Sequence, residues 1–213
     1  MLNTNNKYPF FDLLEVVADA DLPFKPFKKL QPVKAGNYIP DLKLSVDYSR
    51  WQQFYNGSET HGPVSLRNLQ SKPLVIAFYS QHWRNHGLDL LKQLNSIQQE
   101  IKASGGNLLV ITDERTDELE KLAWAQSLTL NFYHDPEKNV AQAFRVFSDN
   151  DPAWNRFSGI DENAPLLATY IVDASRQVVY HHIDWDFLGT FSSADIISAV
   201  YESSLIGNNR KSA

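Results

Sequence analysis

The chain of 213 residues contains no cysteine and a single methionine. The missing cysteines exclude disulfides, cysteine-ligated metals and thiol catalysis, although they do not assign a redox compartment. No apolar run approaches the roughly 18 residues that a membrane-spanning helix needs, so no membrane role is expected. No basic stripe stands out and the formal net charge is −5, which gives no support for a nucleic-acid partner. The Walker loop and the Gly-x-Gly-x-x-Gly loop for nucleotides are both absent. Ser80 lacks the Gly-x-Ser-x-Gly elbow and has no visible His-Asp pairing, which argues against a hydrolase. The N-terminus has no basic region followed by an apolar core. A secretory signal is therefore not expected, and the expected compartment is the cytoplasm.

What is present reads as one domain with decoration. The apolar fraction is 43%, ordinary for a globular protein. The central stretch begins with Leu74-Val75-Ile76-Ala77-Phe78-Tyr79, a continuous apolar run that suits a strand buried on both faces. From Leu88 the period changes. Leu90, Leu91, Leu94, Ile97 and Ile101 recur at three and four, one face of a helix, and Gly105-Gly106 marks its end. A polar turn, Ser80 to Gly87, joins the two. The C-terminal end of a central strand, at a helix N-terminus, is where ligands and chemistry usually sit in an open α/β sheet.

The rest of the chain alternates. Residues 10–18 predict a short helix with Phe10, Leu13, Leu14 and Val17 on one face. Residues 1–36 predict an N-terminal extension, punctuated by Pro23, Pro26 and Pro32, that packs on its own chain or on another subunit, the former favoured. Residues 41–46 and 63–66 predict two strands, with a packed loop from Trp51 to Gly62 between them. Strands follow at residues 107–112 and 128–133, with helices near 116–127 and 138–147. Residues 148–163 predict a loop. Residues 168–173 and 177–183 predict a hairpin, and a last helix starts near Ser192 or Ser193. The domain proper is expected over residues 37–206, with a frayed polar tail at 207–213.

Phe78, Tyr79 and Trp83 carry a resemblance. The sequence at this turn is similar to the AhpC/TSA, or peroxiredoxin-like, branch of the thioredoxin fold, whose usual form is Phe-Tyr-Arg-Gly-x-Trp-Cys-Pro-Tyr-Cys. Pro40-Asp41-Leu42-Lys43-Leu44, Val64-Ser65-Leu66, and Asp135-Pro136 with Val140, Ala141, Ala143 and Phe144 match other family patterns. The resemblance covers roughly residues 36–203. It implies an α/β, thioredoxin-like mixed sheet flanked by helices, an N-terminal β-hairpin, and an antioxidant, thiol-peroxidase ancestry.

The resemblance breaks at three places that it brings to one pocket. Arg84 and Gly87 stand where the family has its two cysteines, and Asn85 replaces the proline between them. Leu167 stands at the family's cis-proline, for which a trans bond is expected, since a non-proline cis bond costs about 2.5–4 kcal/mol. After His182-Ile183-Asp184-Trp185-Asp186-Phe187, where the family has an arginine, the chain runs Leu188-Gly189-Thr190. Arginine stays protonated and is no nucleophile. No catalytic residue, metal or cofactor is therefore expected. The expected pocket comprises His82, Trp83, Arg84, His86, Leu167 and Thr169, and the expected role is binding or interaction.

Other chemistry is weaker. His82 and His86, four apart, could face one way, but no His-Glu-x-x-His signature accompanies them and Arg84 puts a charge between them. His181 and His182 are expected on opposite strand faces. Asp184 and Asp186 are expected to share a face and could form an acid pair, Trp185 between them makes an edge or loop position equally plausible, and a solvated face is favoured. The alternative function is non-thiol chemistry on a small anionic substrate at Arg84, His82 and His86. The partner is expected to be a small anion or a protein, a second copy of the chain included.

Overall fold

The computed structural model describes residues 29–40, 52–55, 58–60, 71–114, 116–187 and 191–211. The predicted helix at 10–18 and the predicted strands at 41–46 and 63–66 lie outside them. Strands are β1 (Gln52–Tyr55), β2 (Ser58–Thr60), β3 (Leu74–Tyr79), β4 (Asn107–Thr112), β5 (Asn131–His134), β6 (Ala168–Val172) and β7 (Val178–Ile183). Helices are α1 (Arg84–Ala103), α2 (Thr116–Ala125), α3 (Asn139–Ala143) and α4 (Ser193–Lys211), with 3-10 turns at Gln81–Trp83 and Ala153–Asn155.

The strands form one mixed sheet in the order β2-β1-β5-β4-β3-β6-β7. β3 lies near its centre, parallel to β4 and antiparallel to β6. All six of its residues are buried, as a strand covered on both faces requires. Its alternation assigns the faces. Phe78 meets Phe144 of the segment after α3 at 5.3 Å and Tyr170 of β6 at 6.2 Å, both edge to face. Tyr79, pointing the other way, lies under Gly87 of α1. The two helices thus cover opposite faces, and α4 packs beside α1.

Helix ends follow local chemistry. α1 buries Leu90, Leu91, Leu94, Ile97 and Ile101, the predicted face. It stops where Gly105 takes a left-handed backbone, with Gly106 N–H donating to Ile101 O at 3.0 Å, a Schellman closure. α2 ends at Ala125 by the same device, with Ser127 left-handed. α3 is shorter than predicted because Arg145 turns left-handed and Val146 N–H reaches back to Ala141 O at 3.0 Å. Its start is held by buried Asp135, whose Oδ2 accepts from Val140 N at 2.9 Å and Ala141 N at 3.2 Å. α4 runs on to Lys211, through the stretch expected to fray. Tyr38 bridges to Gln177 and Val178 N–H donates to Asn37 O at 2.8 Å, so residues near 38 cover part of the β7 edge.

One expectation needs correction. Residues 52–60, expected as loop, hold the β1–β2 hairpin, with Tyr55 opposite Ser58 and Gln52 opposite Phe132 of β5. The dipeptide Asn56-Gly57 falls between the two strands, which is the strongest short hairpin signal a sequence carries.

Gly106 fits only as glycine. A Cβ built there comes within 2.5 Å of Val200 Cγ1, where α1 leads into β4 beneath α4. Gly106→Ala is expected to cost about 1–3 kcal/mol, the usual penalty for overpacking. Urea unfolding should show a lower midpoint with unchanged slope, and an unchanged midpoint would contradict this packing.

Candidate functional site

The site is built where β3 hands over to α1. Ser80 leaves the strand in an extended conformation and is fully buried. Its Oγ donates to Glu114 Oε1 at 3.1 Å, and Gln81 N–H donates to the same oxygen at 2.7 Å. Glu114 follows the end of β4, which is parallel to β3 with Tyr79 opposite Thr112. Two parallel strands therefore bring their carboxyl ends together, and one buried carboxylate ties them. Burial, above all, holds the Glu114 carboxyl above its ordinary range, against the Gln81 hydrogen bond that lowers it, with the charge of Asp113 adding to the rise.

Trp83 is 2% exposed. Its Nε1–H donates to Pro165 O at 2.6 Å, pinning the turn to the loop ahead of β6. The indole packs edge to face on Phe157 at 5.0 Å and against Phe187 at 5.4 Å. Phe157 and Phe187 meet at 4.9 Å, completing an aromatic floor.

The structure gives the expected pocket residues separate neighbours. Arg84 opens α1 with φ 51° and ψ −125°, a backbone that a residue with a side chain rarely holds. It is exposed and makes no ion pair with a described residue. His82 pairs with Glu162 at 3.3 Å. His86 stacks on Phe187 at 4.4 Å. The two histidines have separate neighbours, and among the described residues no group of three or more His, Asp or Glu gathers as a metal site.

Gly87 is buried, and a Cβ there would lie 3.0 Å from the Tyr79 ring and 3.1 Å from Ser80 O. Leu167 is 2% exposed, and no described peptide bond is cis. Leu167 and Thr169 do share a cavity, with Leu90, Ala168, His182 and Asp184, but its volume is only about 10 Å³. That is room for about one water. Thr169 Oγ1 and His182 Nε2, on residues paired across β6 and β7, are both buried there without a hydrogen-bond partner among the described residues.

The last strand ends at Ile183, so Asp184 and Asp186 do not share a strand face. Asp184 is buried and its Oδ1 accepts Phe187 N–H at 2.8 Å, whereas Asp186 is exposed. His181 and His182 do face apart: His181 Nδ1 accepts Ala35 N–H at 3.2 Å. Burial, chiefly, holds the His181 imidazole below its ordinary pKa, consistent with that acceptor role. Sequence reasoning missed Glu114 and Phe157. Only Glu114 had a usable signal, its place two residues past a strand expected to lie beside β3.

The AhpC/TSA family model matches residues 35–181, and the chain belongs to that family. Among solved structures it is similar to the peroxidoxin BcpB of Mycobacterium tuberculosis, at 17% identity and a TM-score of 0.56, covering 82% of this chain and 97% of that one. It is similar also to the reduced 2-Cys peroxiredoxin of Plasmodium vivax, at 16% identity and 0.58, covering 83% and 86%. Enterococcus faecalis AhpC matches at 12% and 0.55, covering 85% and 96%. At such identities these likenesses concern the fold. No functionally curated protein matches the chain.

The buried carboxyl makes a pH prediction. Because the folded pKa of Glu114 is raised, its stabilising contribution is full below the unfolded value of about 4.3 and is lost as pH rises through the folded value. Glu114→Gln keeps an oxygen acceptor and cannot ionise. In thermal melts from about pH 4 to pH 8, the variant should gain on the parent as pH rises. A gap that stays constant with pH would contradict the assignment.

Proposed function

We propose that this chain is an AhpC/TSA-family protein that has left thiol peroxidase chemistry and acts by binding, its partner a small anion or a protein. The observation that carries this is the absence of any cysteine in the chain, because peroxide reduction in this family's manner needs a thiolate. The two vacated positions support it. Arg84 is exposed on a strained backbone, and Gly87 sits where a side chain would press on Tyr79. The neighbourhood is consolidated as well. Trp83 is bonded to Pro165, Leu167 is buried, His82 is taken by Glu162 and His86 by Phe187. Non-thiol chemistry on an anion at Arg84, His82 and His86 finds less support, because each histidine has its own neighbour and Glu162 brings a carboxylate to the turn.

The purified protein should consume neither hydrogen peroxide nor an organic hydroperoxide above a no-protein control, with dithiothreitol or a thioredoxin system as donor. Thiol-dependent turnover that survives removal of trace contaminants would overturn the proposal.

A further inference from the structure

A second concave region lies away from the β3–α1 turn. Residues 29–40 cross from the segment after α3 to β7, anchored by Val33 N–H to Phe144 O at 3.1 Å and Gly36 N–H to Val178 O at 2.8 Å. Beneath this crossing two cavities of about 490 and 660 Å³ adjoin, sharing Lys29, Leu30, Gln31 and Arg145. Each is large enough for a drug-sized ligand. The larger is lined by four cations, Lys29, Lys34, Arg145 and Arg156, and by the indole of Trp185.

That density of positive charge is unexpected on a chain with a formal charge of −5. Lys29, Lys34 and Arg145 are exposed, and none makes an ion pair with a described residue. Carboxylates lie near as well, Asp184 and the exposed Asp186 flanking Trp185 in sequence among them. Asp149 is exposed and lines the smaller cavity. Asp151 is buried, and Arg156 pairs with its Oδ2, which also accepts Leu30 N–H. Arg156 is therefore held in place, and among the described residues neither its Nη1 nor Asp151 Oδ1, both buried, has a hydrogen-bond partner. Its guanidinium carbon lies 5.9 Å from the Trp185 ring centre, within cation–π range. Trp185 is 43% exposed, with part of its ring open to solvent.

We propose that this groove is a binding site for a multiply charged anion that carries a flat ring, of the chemical class of nucleoside phosphates. Trp185 supplies the stacking face. Lys29, Lys34 and Arg145 supply charge for phosphate oxygens, and arginine adds paired donors suited to them. No Walker or Gly-x-Gly-x-x-Gly loop is present, so recognition runs through side chains rather than a backbone cradle. The site is separate from the vacated cysteine positions. It stands or falls independently of the peroxide result.

The test is calorimetric titration of the full chain with ADP, inorganic pyrophosphate and adenosine, at one ionic strength set with chloride. ADP should bind, pyrophosphate more weakly, and adenosine weakest. Combined Lys29→Ala and Arg145→Ala should weaken ADP and pyrophosphate about tenfold or more. Trp185→Ala should bring ADP down to the level of pyrophosphate, and Lys102→Ala, a surface cation on α1, should change nothing. These side chains are exposed, and circular dichroism verifies that the variants fold. No ADP binding at millimolar concentration, or binding unaltered by the Lys29 and Arg145 changes, overturns the proposal. Equal ADP and pyrophosphate affinity in the parent overturns the ring-stacking part and leaves an adventitious polyanion surface only.

Discussion

The hydrogen bond from Trp83 to Pro165 is the contact on which the site depends. A buried indole N–H must find an acceptor, since an unmet buried donor costs about 1–3 kcal/mol. Its acceptor here is a backbone carbonyl in a loop 82 residues away in sequence. That single bond sets how the start of α1 sits against the approach to β6. The ring is then wedged among Phe157 and Phe187, and Phe187 extends the stack to His86. On the other side of the turn, Glu114 gathers Ser80 and Gln81. The strand-to-helix junction is thus clamped from the loop side and from the neighbouring strand.

The replacements at the vacated positions differ in kind. Gly87 is fixed by space, because Tyr79 and Ser80 leave no room for a Cβ in ordinary contact. Arg84 is not fixed by packing, since it is exposed and carries an unfavourable backbone. Strain of this sort costs about 1–3 kcal/mol and persists only where surroundings over-determine it. The clamp on either side does so here.

Much of the fold was legible in advance because the signals were local. The six-residue apolar run of β3, the three-and-four spacing of α1 and the Gly105-Gly106 stop each report their own structure without help from distant residues. The hairpin from β6 to β7 was legible for the same reason, and so were the Asp135 and Pro136 that open α3. Failures came where pairing or termination is decided by other parts of the chain. The β1–β2 hairpin had a local signal in Asn56-Gly57, whereas the antiparallel pairing of β1 with β5 is a non-local fact. The end of α3 depends on Arg145 adopting a conformation normally left to glycine. Asp184 and Asp186 were expected to share a face, and the chain turns at Asp184 instead. The site was half legible. Family positions located Arg84, Gly87 and Leu167, but residue spacing could not foresee that His82 would meet Glu162 or that His86 would lie on Phe187. Glu114 was within reach, given two adjacent parallel strands ending together.

The central claim is that the scaffold of a thiol peroxidase remains while the chemistry has been dismantled beyond the loss of sulfur. Arg84→Cys tests it most directly, because it places a single thiol at the start of α1. A cysteine at a helix N-terminus has a lowered pKa, so this thiol should be alkylated faster than free cysteine near neutral pH. Peroxide turnover with dithiothreitol, measured on the same preparation, should stay at the level of free thiol at equal concentration. Catalytic turnover well above that level would contradict the claim and show that one residue alone separates this chain from a working peroxidase.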